Sequence, residues 1–462
     1  MKPEIKVERG IIGGRIVTVV VLSTLVLAML ACGPLTTVLG PTETSTPAEV
    51  FPVETPPTEA PTSTTVPSPT STLIATATEL PATPTPPPTS PACPPPGSPR
   101  LIRPADFADY PDAIQQYLSA GGSVVALRGT LTEWSALPDA ENQVVAADLT
   151  GDGGDEVIVA LAHPDAQTIV RPGVLLIFGC SEGRYTSLHR EGNADPEMFD
   201  PAVQLVQVGD TNLDDSPDVT YVLRTCGAHT CFERLNILGW NGTRLASLMG
   251  GTLDLPYPTY TVEPGQIEAI SGGIGSVGAE PQRGYAEIWT WNGDVFTITE
   301  TIHEPAVYRY HALLDGDRAL RAGDYVSATE MYRRVIDDDA LESFVGVISQ
   351  ADGAGERAFL TAFARWRLLL TYLHMGDVGS AQAEINRLQA DYPPGEVGHE
   401  VVEMALTFWE VYLQGEGIVP ACSEIVAAAE RYASVLEFFN NNYGYANPWW
   451  EPEDLCLATE QR

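Results

Sequence analysis

The sequence predicts a mixed multidomain protein in which a β-repeat domain is followed by an α-helical domain. Two hydrophobic patterns predict this order. From about residue 122 to 302, short Val, Ile and Leu runs alternate with Asp, Gly and Asn turns, which is typical of strands and hairpins. Beyond Pro305, apolar residues recur with the period of amphipathic helices. We therefore expect a β domain over 100–304 and a helical domain over 305–462.

The N-terminus, residues 1–32, has the pattern of an export signal. Four basic residues precede an apolar run over 16–31, and Cys32 follows it. This stretch resembles a bacterial lipoprotein signal: Ala31 and Cys32 match that pattern, whereas Met29 and Leu30 depart from it. The resemblance implies lipidation at Cys32, a membrane contact by lipid anchor only, and a chain on the extracytoplasmic face of the cell membrane. An uncleaved signal anchor is the alternative.

The next segment, 33–99, is rich in Pro, Thr and Ser and contains no Lys or Arg. Such a composition cannot bury enough apolar surface to offset its conformational entropy, so it predicts a disordered, extended linker. After this linker, 109–121 has helical spacing and ends at a glycine pair.

The charge balance limits the classes of partner. The chain has 25 basic and 61 acidic residues and a formal charge of −36. Because phosphate backbones would be repelled, we expect no nucleic-acid partner. Lysine occurs only at Lys2 and Lys6, which excludes lysine-based Schiff-base chemistry in the domains that follow.

The β region contains an internal repeat. The segment 144–161 aligns with 206–223 at an offset of 62 residues, as from Asp148 to Asp210, and both segments place an acidic loop before an apolar run. Trp-Asn-Gly occurs at 240–242 and again at 291–293, and Asn-Gly predicts tight hairpin turns. We expect three β units, over about 140–195, 200–252 and 258–302.

Both acidic loops have the alternating oxygen donors that calcium prefers. The donors expected to act as ligands are Asp148, Thr150, Asp152, the Gly154 carbonyl and Glu156 in the first loop, and Asp210, Asn212, Asp214, the Ser216 carbonyl and Asp218 in the second. The loops resemble the D-x-[DN]-x-D-G-x-x-D loop of FG-GAP and VCBS-type repeats. Thr150 and Asp215 depart from that pattern, and the third unit has no acidic loop. The alternative is an Asp/Gly-rich turn whose side chains cap their own backbone.

The FG-GAP and VCBS resemblance implies extracellular propeller blades and a structural Ca²⁺ ion as cofactor. Three units are too few for an ordinary closed propeller. We therefore expect an incomplete propeller, closed by strands around 122–132, or another open β arrangement.

The helical domain also repeats. Segments 308–336 and 362–394 each contain two amphipathic helices around a Gly-Asp pair, at an offset of 53 residues from Gly323 to Gly376. They resemble the tetratricopeptide repeat at matching signature positions, which are Gly316, Gly323, Ala328 and Tyr332 in the first and Tyr372, Gly376, Ala381 and Pro393 in the second. Generic helical hairpins are the alternative. Trp366, Tyr372 and Trp409 are expected in the core or in a binding groove.

Seven cysteines, less Cys32, leave an even number for disulfides in an oxidising compartment. Proximity in sequence favours Cys226 with Cys231 and Cys422 with Cys456, which leaves Cys93 for Cys180. A metal site at Cys226, His229 and Cys231 is the alternative for the first pair.

These features favour a non-catalytic extracellular binding or scaffold protein. Its helical repeats would take a protein or peptide partner, and a cell-surface glycan is a further candidate ligand. The alternative is a carboxylate-dependent surface glycoside hydrolase, which needs two carboxyl groups that approach each other in space. No catalytic residues can be chosen from the sequence. The Gly273–Gly278 pattern G-x-G-x-x-G is followed by Pro281 rather than by a helix, so it does not predict a dinucleotide site.

Overall fold

A computed structural model of the chain describes residues 93–193 and 200–458. Within these residues, thirteen strands and nine α-helices make a mixed α and β protein. The predicted export signal, Cys32 and most of the predicted linker lie outside the described residues. No described helix is both long enough and apolar enough to cross a membrane.

The described chain begins with Cys93, and residues 93–99 run without regular secondary structure against the first helices. The Gly97 amide donates to the Gly121 carbonyl at 2.8 Å. The end of the predicted linker is therefore held against the folded body. Two helices follow, α1 (Tyr110–Ser119) and α2 (Val124–Glu133).

Helix α2 corrects one expectation, because the closing strands predicted around 122–132 are absent there. The Ser123 side chain accepts the Ala126 amide and caps the first turn. Leu127 and Leu131, four residues apart on one face, are fully buried against the first sheet. The β-branched residues of this stretch had suggested a strand, but the cap and the leucine spacing favour a helix.

Three separate antiparallel sheets follow in chain order, and within the described residues they do not close into a ring. The strands of the first sheet are β1 (Val144–Ala147), β2 (Glu156–Ala162), β3 (Gly173–Ser181) and β4 (Arg184–Gly192). Those of the second are β5 (Ala202–Gly209), β6 (Asp218–Cys226), β7 (Cys231–Trp240), β8 (Leu245–Ser247) and β9 (Leu253–Pro256), and those of the third are β10 (Thr259–Glu263), β11 (Gln266–Ile270), β12 (Tyr285–Trp291) and β13 (Phe296–His303). These sheets fall within a few residues of the three predicted β units.

Hairpin turns occur where the sequence indicated them. Strands β7 and β8 pair across Asn241-Gly242, and β12 and β13 pair across Asn292-Gly293. Both glycines have positive φ angles, 90° and 99°, which a residue with a Cβ atom adopts only at a cost. Each asparagine side chain accepts two backbone amides of its own turn.

The sheets stack face to face, and β2 shows why. All seven of its residues are buried, because the strand is covered on both sides. Its side chains alternate: Val157, Val159 and Leu161 face α1 and α2, whereas Ile158 and Ala160 pack against the second sheet. A further cluster joins the opposite face of the second sheet to the third and includes Ile237 and Trp289.

The helical part follows β13. Its helices are α3 (Arg309–Arg321), α4 (Tyr325–Asp337), α5 (Gly353–His374), α6 (Val378–Asp391), α7 (His399–Val411), α8 (Ile418–Ala427) and α9 (Ala433–Asn442). Helices α3 and α4 form one hairpin and α5 and α6 form the next, and one continuous core includes residues from all seven helices.

The two hairpins have the same turn. Gly323 and Gly376 adopt φ angles of 76° and 77°, and the aspartate after each one caps the next helix by accepting an amide three residues further on. Close helix contact explains Gly316, because a Cβ atom there would lie 2.5 Å from the Tyr332 ring. Trp366, Tyr372 and Trp409 are buried, so these three side chains belong to the core.

A buried network holds the C-terminal tail to the helices. Arg367 is fully buried and forms an ion pair with Asp317 at 3.1 Å. The same guanidinium donates to the Leu455 carbonyl at 3.1 Å, and Trp366 Nε1 donates to that carbonyl at 2.8 Å. A disulfide between Cys422 and Cys456 closes the tail onto α8.

Candidate functional site

The first acidic loop connects β1 to β2 and is closed by its own carboxylates. Asp148 accepts the Gly151 amide at 2.8 Å and the Gly153 amide at 2.9 Å, and Asp152 accepts the Gly154 amide at 2.8 Å. Glu156, at the start of β2, accepts the backbone amides of residues 149 and 150 at 2.7 and 3.1 Å. The backbone donors that a tight bend leaves without strand partners are thus satisfied within the loop.

The second loop, between β5 and β6, has the same hydrogen bonds at the offset of 62 residues. Asp210 accepts the amides of residues 213 and 215 at 2.7 and 3.1 Å, and Asp214 accepts that of Ser216 at 2.8 Å. Asp218 accepts the amides of residues 211 and 212 at 3.0 and 3.2 Å. The repeat in the sequence is therefore a repeat in geometry.

The two loops differ in the residues that adopt left-handed backbone angles. Gly151 and Gly153 have φ angles of 72° and 85°, whereas the equivalent residues of the second loop, Leu213 and Asp215, have φ angles of 66°. A side chain in this region is strained by its own Cβ atom. The second loop keeps the conformation of the first although its sequence is less suited to it.

Each loop ends in a buried carboxyl group that lacks a cationic side-chain partner. Glu156 is 4% exposed and Asp218 is 1% exposed, and no ion pair of the described chain includes either of them. Burial raises the pKa of Glu156, and the loop amides that it accepts only partly offset this effect. Burial likewise raises the pKa of Asp218, against hydrogen bonds from Thr211 and Asn212. Within the described residues, hydrogen bonds from its own loop stabilise each of these carboxyl groups, and no cationic side chain pairs with it.

The oxygen donors of the loops suit a hard cation. Each loop gathers carboxylates with a hydroxyl or amide oxygen, here Thr150 or Asn212, and oxygen ligands are what Ca²⁺ prefers. Among the described residues, no group of three or more His, Cys, Asp or Glu side chains is close enough to hold a metal ion. A cation in either loop would therefore depend on hydroxyl, amide and carbonyl oxygens, including those of Gly154 and Ser216, as well as on carboxylates.

The cysteines pair as follows. Cys226 and Cys231 are joined by a disulfide at the end of the β6–β7 hairpin. Their sulfurs are consumed in that bond, so the alternative metal site with His229 is wrong. Cys93 and Cys180 are both free thiols, so the third disulfide expected between them is not formed in the structure. Burial raises the pKa of the Cys180 thiol to about 12, and the adjacent Cys93 thiol contributes to that rise.

Two structural features have no signal in the sequence. The Gln143 side chain joins the first sheet to the second: its amide nitrogen donates to the Leu205 carbonyl and its oxygen accepts the Leu205 amide, both at 2.9 Å. A cavity of about 300 Å³ lies between the third sheet and α3, with Arg283, His303 and His311 in its lining. Residues so far apart in sequence are gathered only by tertiary packing, and no local pattern could have indicated them.

Comparison with known proteins gave no match. No protein-family model matches the chain, and neither curated proteins nor solved structures showed a similarity. The structure thus establishes the general class, a mixed α and β protein with three antiparallel sheets, and function is argued from this chain's own residues.

Proposed function

We propose that this chain is a lipid-anchored, non-catalytic binding or scaffold protein on the extracytoplasmic face of the cell membrane. In this proposal the three sheets are propeller-like blades of an incomplete propeller, two of them stabilised by structural calcium. The helical hairpins are tetratricopeptide-like and take a protein or peptide partner. The predicted export signal supports the location, and the two matching loops support the binding of calcium.

The main support for the calcium proposal is a pair of buried carboxyl groups without a cationic side-chain partner, Glu156 and Asp218, which lie at equivalent positions of the two loops. A buried charge without a counterion destabilises the fold, and a bound cation would neutralise it. In the first loop, the proposed ligands are Asp148, Thr150, Asp152, the Gly154 carbonyl and Glu156, whose carboxylates a bound ion would draw closer together than they lie in the described structure. The second loop would use Asp210, Asn212, Asp214, the Ser216 carbonyl and Asp218. The ion would stabilise the turns that lead into β2 and β6.

Thermal unfolding tests this proposal. With calcium at about ten times its dissociation constant, each loop would be stabilised by about 1.4 kcal/mol. Two loops should then raise the melting temperature by about 5–10 °C, and a chelator should reverse the change. Asp152→Asn and Asp214→Asn should each lose part of the rise, whereas Asp155→Asn, an exposed neighbour outside the ligand set, should keep it. Equal melting temperatures in calcium and in chelator would show that the loops are turns capped by their own side chains and do not bind calcium.

A groove on the helical part supports the peptide-binding proposal. It has a volume of about 620 Å³ and lies between α8 and the C-terminal tail, with Val419, Val426 and Leu457 in its wall. Its lining is mostly apolar, as peptide-binding sites between helices commonly are. If a partner peptide uses it, Val419→Glu and Val426→Glu should abolish retention of that partner, while Val326→Glu, at a more exposed valine on α4 outside the groove, should not. Equal retention by all three variants would place the peptide elsewhere.

The alternative, a surface glycoside hydrolase, has no specific support in the described residues. Each cavity identified here has a single carboxyl residue in its lining, Glu453 in the groove on the helical part and Asp254 in the cavity beside α3. Glycoside hydrolysis requires two such groups on opposite sides of one bond.

A further inference from the structure

The cavity beside α3 is bounded by both parts of the molecule. Strands β12 and β13 and the loop before them form one wall, α3 forms the second, and residues 446–448 of the C-terminal segment form the third. Backbone hydrogen bonds fix that segment, since the Gly444 amide donates to the Glu280 carbonyl at 2.6 Å and the Tyr445 amide to the Gly278 carbonyl at 3.0 Å. The cavity is therefore held by connected elements on each side.

Basic groups are concentrated in this cavity although the chain as a whole is strongly acidic. Arg283 and Arg318 both lie in the lining, and both form ion pairs with the same carboxylate, Asp315. The distance from Arg283 to that carboxylate is 2.5 Å. Asp254, also in the lining, pairs instead with Arg234 at 3.3 Å. Two guanidinium groups thus share one carboxylate, which leaves one positive charge without a partner.

The two guanidinium groups differ in what remains available for a ligand. Arg283 is largely buried and also donates through Nε to the Glu304 carbonyl, so its position is fixed. Arg318 is 44% exposed, and its only partner among the described residues is Asp315. A guanidinium has five N–H donors in a planar fork. Arg318 therefore presents donors to the cavity, and Arg283 holds Asp315 in place beside it.

The two histidines in the cavity lining have lowered pKa values, and the neighbouring arginines contribute to the lowering. Burial lowers the pKa of His303, and Arg318 and Arg283 lower it further. Burial lowers the pKa of His311 to about 4, with a contribution from Arg283. Both rings are consequently neutral at pH 7, so neither adds charge to the cavity.

We propose that this cavity binds a small organic carboxylate as a monoanion. Arg318 is the group that pairs with the ligand, because it has free donors and sits in a cavity with one excess positive charge. Phe232, Leu314 and Pro448 line the apolar remainder, which suits a short hydrocarbon or aromatic portion. A volume of about 300 Å³ lies at the lower limit for small-molecule sites. The proposal is independent of calcium binding by the acidic loops.

Titration of the full-length chain in detergent with benzoate, and separately with benzyl alcohol, tests this site. The two probes share a ring and differ in charge. Benzoate should bind saturably, and benzyl alcohol should bind at least about tenfold more weakly, because a hydrogen bond to a charged group is worth roughly 1.5–3 kcal/mol. Equal binding of the two probes, or no saturable benzoate binding, would overturn the proposal.

Three variants assign the binding to Arg318. Arg318→Gln should weaken benzoate at least about tenfold, and Arg318→Lys should retain part of the affinity because it keeps the charge. Arg357→Gln is the matched control: this arginine on α5 is 45% exposed, pairs with Asp339 and lies in the lining of neither this cavity nor the groove on the helical part. An equal loss in Arg318→Gln and Arg357→Gln would show a general charge effect and contradict the proposal. Unchanged circular dichroism in all three would exclude unfolding as the cause.

Discussion

Replacement of Gln143 by leucine should destabilise the β part of the protein, although the two side chains have nearly the same volume. Gln143 is 2% exposed, and its side chain satisfies both backbone groups of Leu205, which is 3% exposed. Leucine has nearly the same volume but no polar atoms, so the Leu205 amide and carbonyl would stay buried without partners. Each of the two unsatisfied groups costs about 1–3 kcal/mol, so we expect a loss of about 2–6 kcal/mol in unfolding free energy.

Urea unfolding monitored by tryptophan fluorescence measures this loss. Gln207→Leu is the control, because Gln207 lies on β5, the strand that contains Leu205, and its side chain forms no hydrogen bond within the described residues. That control should change the unfolding free energy by about 0.5 kcal/mol or less. If Gln143→Leu changes the unfolding free energy no more than Gln207→Leu does, the Gln143 hydrogen bonds between the first two sheets do not stabilise the fold.

Three further predictions follow from the loops and cysteines. Asp215→Gly should stabilise the chain by about 0.5–1 kcal/mol and Gly153→Asp should destabilise it, because both positions have left-handed φ angles. If the two variants do not shift the melting temperature in opposite directions, the backbone at these positions is not strained by a side chain. The folded-state pKa values of Glu156 and Asp218 are raised, so without divalent cations the unfolding free energy should fall as pH rises through and above the ordinary carboxyl range of roughly 4. The double variant Glu156→Gln with Asp218→Asn should show a smaller fall over the same pH range. Cys93 and Cys180 are free thiols in the structure, so thiol titration after denaturation should find both of them reactive, apart from any contribution of Cys32; loss of both would show that they form a third disulfide.

Periodicity in the sequence predicted most of the fold, since residues close in sequence decide it. The alternation in β2 and the Asn-Gly turns at 241–242 and 292–293 are local features, and so are the helical repeats on each side of Gly323 and Gly376. The stretch 122–132 was predicted as strand because its Val residues favour strands, whereas the Ser123 cap and the spacing of Leu127 and Leu131 decide for a helix.

The sites were predictable only where they are continuous in sequence. Both acidic loops could be located because every donor lies within nine residues, and their shared offset indicated a shared geometry. The cavity beside α3 could not be found in that way. Arg283 precedes β12, His303 ends β13 and Arg318 lies on α3, so their proximity depends on how the third sheet packs against the helices.

Calorimetric titration of the metal-free chain with calcium tests the central claim most directly. Extracellular calcium modules bind with dissociation constants of about 10⁻⁴–10⁻³ M, so millimolar titrant is appropriate. The account predicts two ions per chain, and one ion in each of the single variants Asp152→Asn and Asp214→Asn. Titration without saturable heat, or a stoichiometry that neither variant lowers, would contradict it.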